Sequence, residues 1–271
     1  MKEIQFNSKD IILKWYHTLK FDKKYDKDFN MYLESIPIPV DTKIETYPIN
    51  CEDGKKNFLA FLYMCEALEQ KYKSKGISNE ILHDTLHDLV IWSDVWSDLK
   101  GQLWLGELDW LSNHLSGLLF KLGRLQFAIQ RFEEDVAAFG IQRGAVNIGV
   151  HIPAVGPLKP ELCKESFSLA NDFFAKYFPE ITYTFYTCHS WLLDDTLREL
   201  LPVESNILKF GDMFKKISRE KSDAILKYVF KWDTRRHNLH EVESTSDFSK
   251  KVKEHIYNDK DFYSVFGIIE K

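Results

Sequence analysis

The chain has few cysteines, and their spacing excludes two classes of small stabilised domain. Only four occur among 271 residues, and none belongs to a CxxC pair. A disulfide framework or a zinc knuckle needs several closely spaced cysteines. We therefore expect reduced, mostly buried thiols at Cys51, Cys65, Cys163 and Cys188.

Long apolar runs and basic blocks are also missing. No uncharged stretch is long enough to cross a bilayer, and the opening residues MKEIQ lack the apolar core of a signal peptide. The 36 Lys and Arg residues are outnumbered by 41 Asp and Glu residues, so the formal charge is −5. These absences predict a cytoplasmic protein with neither a membrane nor a nucleic acid as its main partner.

What the chain does contain is ample material for a core, since 44% of its residues are hydrophobic and 14% aromatic. Helical spacing of apolar residues prevails at first, and alternating segments typical of strands begin near residue 118. We predict an α+β fold with an all-α N-terminal domain, 1–116, and a mixed α/β domain with a central sheet, 117–271. The helices predicted in the first domain are 11–19, 29–33, 54–72, 78–100 and 103–115, with a proline-rich connector at 36–40.

The second domain is organised around residues 146–191. Alternating apolar residues predict a strand over 146–152, and Pro160 begins a helix that reaches residue 178. A β-branched and aromatic segment predicts a second strand over 181–188, parallel to the first and next to it. The remaining predictions are a strand at 118–132 that is either buried on both faces or kinked at Gly123, strands at 206–214 and 262–269, and helices at 194–201, 222–230 and 248–257.

The turn between Ile152 and Pro160 is the best candidate for a ligand site. A helix that starts beside the carboxyl end of a strand presents free backbone amides and the positive end of its dipole, which together attract phosphate. An ordinary strand-to-helix connection is the alternative interpretation.

Two His-Asp pairs, at residues 83–84 and 87–88, form the most conspicuous local motif. Histidines four residues apart on a helix can hold a metal, and this spacing would suit a metal phosphohydrolase. On a helical projection, however, both histidines share one arc with Asp84 and Asp88, opposite an apolar arc. We therefore interpret the motif as an acidic, solvated helix face and expect no metal cofactor.

The sequence CHSW stands at the end of the second central strand, where open α/β sheets place their ligands. His189 can move protons near neutral pH, and Ser190 can bind or donate to a substrate. Cys188 would act as a nucleophile only if its thiolate were stabilised. Because adjacent side chains of a strand point to opposite faces, Cys188 and His189 should lie on different sides, and we expect no Cys-His dyad. A structural histidine remains an open alternative for His189.

Four segments, LFKLGRLQF, HIPAVGPLKPELCKESF, CHSWLL and SNILKF, resemble, in this order, a bacterial family of N-acyltransferases. Its members join a helical N-terminal domain to a C-terminal domain similar to the GNAT superfamily. The resemblance implies an acyl-CoA-dependent transfer, from acetyl-CoA or another acyl-CoA, to a small-molecule or peptide amine.

The same resemblance implies which positions would serve that reaction. Residues 153–159 would correspond to the pyrophosphate-binding loop, and the expected acyl-CoA contacts are Ile152, Ala154, Val155, Gly156, Leu158, Lys159 and Asn206. Placement and chemistry alone favour His189 as the base or acid, with Ser190 and His151 as second choices. Arg124, Gln126 and Trp191 are the expected substrate contacts.

The loop departs from the family's pattern. Typical acetyltransferases carry [QR]xxGx[GA], whereas PAVGPLKPE offers one glycine and three prolines that lack amide hydrogens. A non-catalytic binding or regulatory module on a GNAT-like scaffold is therefore the alternative to an enzyme.

Overall fold

The computed structural model describes residues 8–37 and 52–271, which fall into two compact units, Met1–Leu122 and Gly123–Lys271. Cys51 and most of the predicted connector at 36–40 lie outside the described residues. No helix in the described ranges is both long and apolar enough to cross a lipid bilayer.

The described part of the first unit is mainly helical. Its elements are α1 (Ser8–Leu19), α2 (Asp26–Ser35), α3 (Gly54–Lys75), α4 (Asn79–Leu86), α5 (Asp88–Lys100), α6 (Leu108–Leu115) and a short strand, β1 (Leu119–Leu122). Side chains cap the helices where the sequence indicates it. Asp53 and Ser78 accept amide hydrogens at the starts of α3 and α4. Gly76 and Gly101 end α3 and α5 in the left-handed region, with φ of 70° and 67°.

The single helix predicted over 78–100 is wrong, because the chain turns at His87 between α4 and α5. The amide of Val90 donates to the His87 carbonyl at 3.0 Å, a tighter i to i−3 bond than an α-helix makes. The hydroxyl of Thr85 donates back to the Ile81 carbonyl at 2.7 Å, a bond that bends helices. Two local hydrogen bonds therefore redirect a segment whose apolar spacing is continuous.

The helix predicted over 103–115 is shorter than expected, since only α6 is helical. The preceding amides serve distant partners instead. Leu103 donates to the Asp28 carboxylate at 2.8 Å, Trp104 to the Ser97 hydroxyl at 2.9 Å and Leu105 to the Gly54 carbonyl at 3.2 Å. These tertiary bonds hold 103–105 out of the helix.

Asp88 of the conspicuous motif is buried whereas His87 beside it is exposed, which corrects the prediction that both aspartates lie on a solvated face. Asp88 is 4% exposed and His114 on α6 is fully buried. The Asp88 carboxylate accepts from the Trp110 indole at 3.3 Å and lies 3.0 Å from the His114 Nε2. Asp84, in the other pair, is exposed. The break at His87 gives the two aspartates these different environments.

The second unit contains the sheet strands β2 (Leu125–Arg131), β3 (Val146–His151), β4 (Phe185–Ser190), β5 (Lys215–Lys221) and β6 (Tyr263–Glu270). Its helices are α7 (Pro160–Tyr177), α8 (Asn206–Gly211), α9 (Ala224–Val229) and α10 (Asp247–Tyr257). Within this unit the strands lie in the order β2-β3-β4-β6-β5. The predicted parallel neighbours, β3 and β4, are confirmed, and the pairs β2 with β3, β4 with β6 and β5 with β6 are antiparallel.

Helix α7 packs on one face of this sheet through aromatic contacts. The Phe167 ring lies 5.6 Å from that of Phe127 on β2 and 4.9 Å from that of Tyr186 on β4, edge to face in both cases. Because side chains alternate along a strand, residues an odd number of positions from Tyr186 lie on the opposite face. That rule divides the candidate site residues between the two faces.

Three sequence predictions for this unit need correction. The strand predicted over 206–214 is wrong, because Ser205 caps the amide of Ile207 and starts α8. The strand predicted over 181–188 begins only at Phe185. The predicted kink at Gly123 is a turn between two strands, with Gly123 at φ 68°. Strand β5 was not predicted, because KKISREK has almost no apolar residues.

Loss of the buried carboxylate should destabilise the first unit. We expect Asp88→Ala to lower the free energy of unfolding by about 3 kcal/mol, since it removes one partner of a buried polar pair. Asp84→Ala, the matched control at an exposed aspartate, should change it by less than about 0.5 kcal/mol. Urea unfolding followed by tryptophan fluorescence measures both, and equal effects would contradict the assignment.

Candidate functional site

The carboxyl ends of β3 and β4 diverge, and this divergence defines the candidate site. The two strands share only the register pairs Ile148 with Tyr186 and Gly149 with Thr187. Beyond them, β3 remains paired with β2 as far as His151, and β4 remains paired with β6 as far as Ser190. The inner edges past Gly149 and Thr187 therefore face each other without pairing. A ligand can bond to backbone groups in such a gap.

The loop after β3 and the start of α7 supply free amides at the same edge. Pro160 is the first residue of α7, and no side chain caps its N-terminus. The Val155 amide donates to the Pro153 carbonyl at 2.8 Å, which removes one of the expected donors. The amides of the following residues have no acceptor within the described ranges: Ala154, Gly156, Leu158, Lys159, Glu161 and Leu162. The prolines in the loop therefore leave unpaired amides at the start of α7, an arrangement that can bind an anion.

Arg124 holds this loop in place. Its guanidinium donates to three loop carbonyls, those of Pro153 at 3.1 Å, Gly156 at 3.0 Å and Pro157 at 3.1 Å. Burial lowers the pKa of Arg124 from its ordinary value, while the side chain remains far from titration at neutral pH. Carbonyls turned toward Arg124 are turned away from a bound anion. The role of Arg124 as a direct substrate contact stays a prediction.

Ser166 of α7 supports the turn that carries Arg124. Its hydroxyl oxygen accepts from the Arg124 amide at 2.8 Å and from the Leu125 amide at 3.2 Å. The hydroxyl donates to the Leu162 carbonyl at 2.9 Å. Gly123 fits here because a Cβ at this position would lie 2.9 Å from the Ser166 oxygen. One buried serine thus connects the turn before β2 to the helix that borders the site.

His189 lies on the sheet face opposite α7, next to a carboxylate. Its Nε2 is 3.3 Å from Oε1 of Glu220 on β5, and the two side chains are 52% and 69% exposed. A carboxylate beside an imidazole can orient the ring. This pairing suits a base that is open to solvent and to an incoming substrate.

The other predicted catalytic residues have local partners. The Ser190 hydroxyl oxygen accepts from the Leu192 amide at 3.1 Å, which starts a short 3-10 turn. His151, on the same face as His189, has its Nε2 3.3 Å from Nε2 of Gln130. Alternation therefore brings both histidines to one face at the carboxyl edge, while Ser190 lies on the α7 face.

The remaining expected contact residues differ in how far they are buried. Gln126 is fully buried, and its Cα partner across the strand pair is His151. Trp191 follows Ser190 and stacks on Tyr228, with ring centroids 6.0 Å apart. Asn206 is the first residue of α8 and not part of a strand. Ile152 is half-buried, Leu158 is buried, and Lys159 is the exposed N-cap residue of α7.

Sequence reasoning missed Glu220, Ser166 and the pair formed by Thr187 and Asn147. The Thr187 hydroxyl donates to the Asn147 side chain at 2.7 Å, and both residues are buried between adjacent strands. Polar residues inside predicted strands were a usable signal for this pair. Glu220 had no such signal, because its strand has the composition of a surface loop.

Among the described residues, no group of three or more His, Cys, Asp or Glu side chains could hold a metal ion. Cys188 is buried and His189 is exposed, because adjacent side chains of β4 point to opposite faces of the sheet. Burial raises the pKa of the Cys188 thiol to about 12, so the thiol is protonated at neutral pH.

Comparison with known families gives this site a context. Residues 119–269, more than half of the chain, match the family of the GNAT-like C-terminal domain, and residues 20–117 match the N-acyltransferase N-terminal domain. The fold and the site thus define a GNAT-like protein, and the chain belongs to this two-domain N-acyltransferase family. Among curated proteins, no relative matches the chain.

Solved acyltransferase structures share the fold. One, in complex with decanoyl-CoA and teicoplanin, is 27% identical, with a TM-score of 0.70 over 79% of this chain and 66% of its own. This chain therefore spans slightly less than two thirds of that protein. Another, in complex with decanoyl-CoA, is 24% identical, with a TM-score of 0.78 over 96% of this chain and 88% of its own. A mutant acyltransferase with octanoyl-CoA is 22% identical, with a TM-score of 0.80. The predicted α+β, GNAT-like fold is confirmed.

The state of the Cys188 thiol leads to a chemical prediction. Iodoacetamide at pH 8 should leave Cys188 unmodified in the folded protein and alkylate it in urea, since the buried thiol is protonated. Peptide mass mapping measures the modification. Accumulation of an acyl thioester on Cys188 after incubation with an acyl-CoA would contradict this assignment.

Proposed function

We propose that the protein is an acyl-CoA-dependent N-acyltransferase, which transfers the acyl group directly to an amine. The observation that carries this proposal is the gap between β3 and β4, bordered by the uncapped start of α7. Family membership and the acyl-CoA complexes of similar folds support it.

In this proposal the pyrophosphate of acetyl-CoA or another acyl-CoA lies at the start of α7. The free amides of Leu158, Lys159, Glu161 and Leu162 donate to its oxygens, and the helix dipole adds a favourable field. Arg124 acts as a positioning residue that keeps the loop carbonyls away from the anion. The free backbone edge of β3 beyond Gly149 binds the chain of the cofactor and polarises the thioester carbonyl.

The transfer itself needs a base that deprotonates the amine and an acid that protonates the thiolate. The amine nitrogen attacks the thioester carbon, the new C–N bond forms, and the C–S bond breaks to release the coenzyme A thiolate. His189, oriented by Glu220, takes the proton that the amine loses, directly or through water. A group at the same edge, with Ser190 and His151 as candidates, protonates the thiolate.

The acceptor class is a small-molecule or peptide amine. The acyltransferase that is 27% identical was crystallised with teicoplanin beside its acyl-CoA, which supports a small-molecule acceptor of this kind. We also propose a domain boundary at 116/117, a cytoplasmic location and a bacterial origin, all on the sequence features described above.

Acyl-CoA binding is tested by calorimetry and thermal unfolding with acetyl-, octanoyl- and decanoyl-CoA. A ligand at one hundred times its dissociation constant should stabilise the folded protein by about 2.7 kcal/mol. Absence of both heat and stabilisation with all three would overturn the proposal. Binding without turnover on any amine would favour the non-catalytic module, the alternative that the proline-rich loop suggests.

A pair of variants at Lys159 separates backbone from side-chain recognition. The φ of Lys159 is already −64°, so Lys159→Pro removes its amide hydrogen with little backbone change. We expect it to weaken acyl-CoA binding by about tenfold, since a hydrogen bond to a charged group contributes about 1.5–3 kcal/mol. Lys159→Ala keeps the amide and should weaken binding less. The reverse order in calorimetry would assign recognition to the ammonium group.

The role of His189 is tested by rate measurements. We expect His189→Ala to lower kcat by about 100-fold, in the range of general base catalysis, with little effect on the KM for acyl-CoA. Glu220→Gln should lower kcat less, because it removes only the orienting carboxylate. His240→Ala, which alters another exposed histidine beside a glutamate, is the control. Full turnover by His189→Ala would remove this residue from the mechanism.

A further inference from the structure

A buried hydrogen bond between side chains joins β3 to β4 at the point where their backbone pairing ends. The Thr187 hydroxyl donates to the Asn147 side-chain oxygen at 2.7 Å, and the two residues are 4% and 3% exposed. Thr187 is also the last residue of β4 with a register partner on β3, which is Gly149. The bond therefore lies at the inner end of the gap, yet it has no part in the transfer steps proposed above.

This bond is directed away from the gap. Asn147 precedes Gly149 by two residues, so both lie on one face of β3, and Thr187 reaches back to the earlier of the two. Gly149 itself has no room for a side chain, because a Cβ there would lie 2.2 Å from the amide oxygen of Gln130 on β2. The bond between the strands thus lies on the paired side of Gly149, and it uses none of the backbone groups that border the gap.

Backbone pairing holds β3 to β4 over a much shorter length than it holds either strand to its outer neighbour. The two strands share two register pairs, whereas β3 has six with β2 and β4 has six with β6. A buried hydrogen bond between polar side chains adds a restraint, because breaking it leaves both groups desolvated and without a partner. The bond therefore restrains the two strands where the backbone ladder is shortest.

We propose that Asn147 and Thr187 are positioning residues, which fix the depth at which the gap begins and so align the β3 edge with the chain of an acyl-CoA. Their side chains are buried, so they act through the backbone that follows them in each strand. This inference rests on the proposed acyl-CoA-dependent function. A small displacement of the β3 edge weakens its hydrogen bonds to the ligand, because such bonds have a narrow range of distances.

The test removes the hydroxyl and keeps the shape of the side chain. The ligand is whichever of acetyl-, octanoyl- and decanoyl-CoA the wild-type protein binds most tightly. In calorimetry on the full chain, Thr187→Val should weaken its binding by at least about fivefold, the equivalent of about one hydrogen bond. Thr187→Ser keeps the hydroxyl and should bind within about twofold of the wild-type protein. Unchanged affinity of Thr187→Val, or an equal loss in Thr187→Ser, would overturn the proposal.

A matched control separates positioning from a general loss of stability. Thr234, between α9 and α10, is fully buried, and its hydroxyl oxygen accepts from the Lys231 amide at 3.1 Å. Thr234→Val also removes a buried, hydrogen-bonded hydroxyl, so it should lower the free energy of unfolding in urea and leave the acyl-CoA affinity unchanged. Equal losses of affinity in Thr234→Val and Thr187→Val would refute a role specific to the gap.

A variant on the other strand tests the proposal even if Thr187→Val fails to fold. Asn147→Ala removes the acceptor from β3 and should weaken acyl-CoA binding by a similar factor. The double variant Asn147→Ala with Thr187→Val should lose no more affinity than either single variant, because the same bond is removed in all three. Additive losses would contradict an action through this bond. Absence of acyl-CoA binding by the wild-type protein would refute the proposed function, and this inference with it.

Discussion

The early end of the parallel pairing between β3 and β4 is the constraint on which the candidate site depends. Each strand keeps its outer partner to its last residue, so the divergence costs backbone bonds only along the inner edges. Those inner edges lie at the carboxyl end of the sheet, where α7 also begins. A continuous ladder would leave no backbone groups for a ligand, and fully separated strands would not hold the edges in place.

The loop beside this gap shows how prolines and anion binding can be compatible. Prolines remove amide donors from the loop itself, but Pro160 occupies a position where the amide has no helical partner in any case. The amides of Glu161 and Leu162 have no acceptor among the described residues, and the Arg124 guanidinium donates to three carbonyls of the loop. Where typical acetyltransferases carry a glycine-rich pattern, this chain has a loop held by Arg124 in front of an uncapped helix.

Within each of the two units, a buried polar contact holds together segments that are distant in the sequence. In the first, Asp88 joins Trp110 and His114, and in the second, Ser166 joins the turn at Gly123 to α7. Each contact links segments far apart in sequence, and each would be costly to break because an unsatisfied polar group would remain buried. Such contacts specify which arrangement of apolar elements is adopted, whereas the apolar residues supply most of the driving force.

The sequence by itself determined the elements whose signals are local: α7 with its proline start, the caps at Ser78 and Gly101, the neighbouring strands β3 and β4, and the class of fold. Only the tertiary structure decided which aspartate of the two His-Asp pairs is buried and that Glu220 reaches His189. Periodicity reports how one segment alternates between core and solvent. These other features depend on polar contacts between residues far apart in the chain, and such contacts produce no periodic pattern in a single sequence.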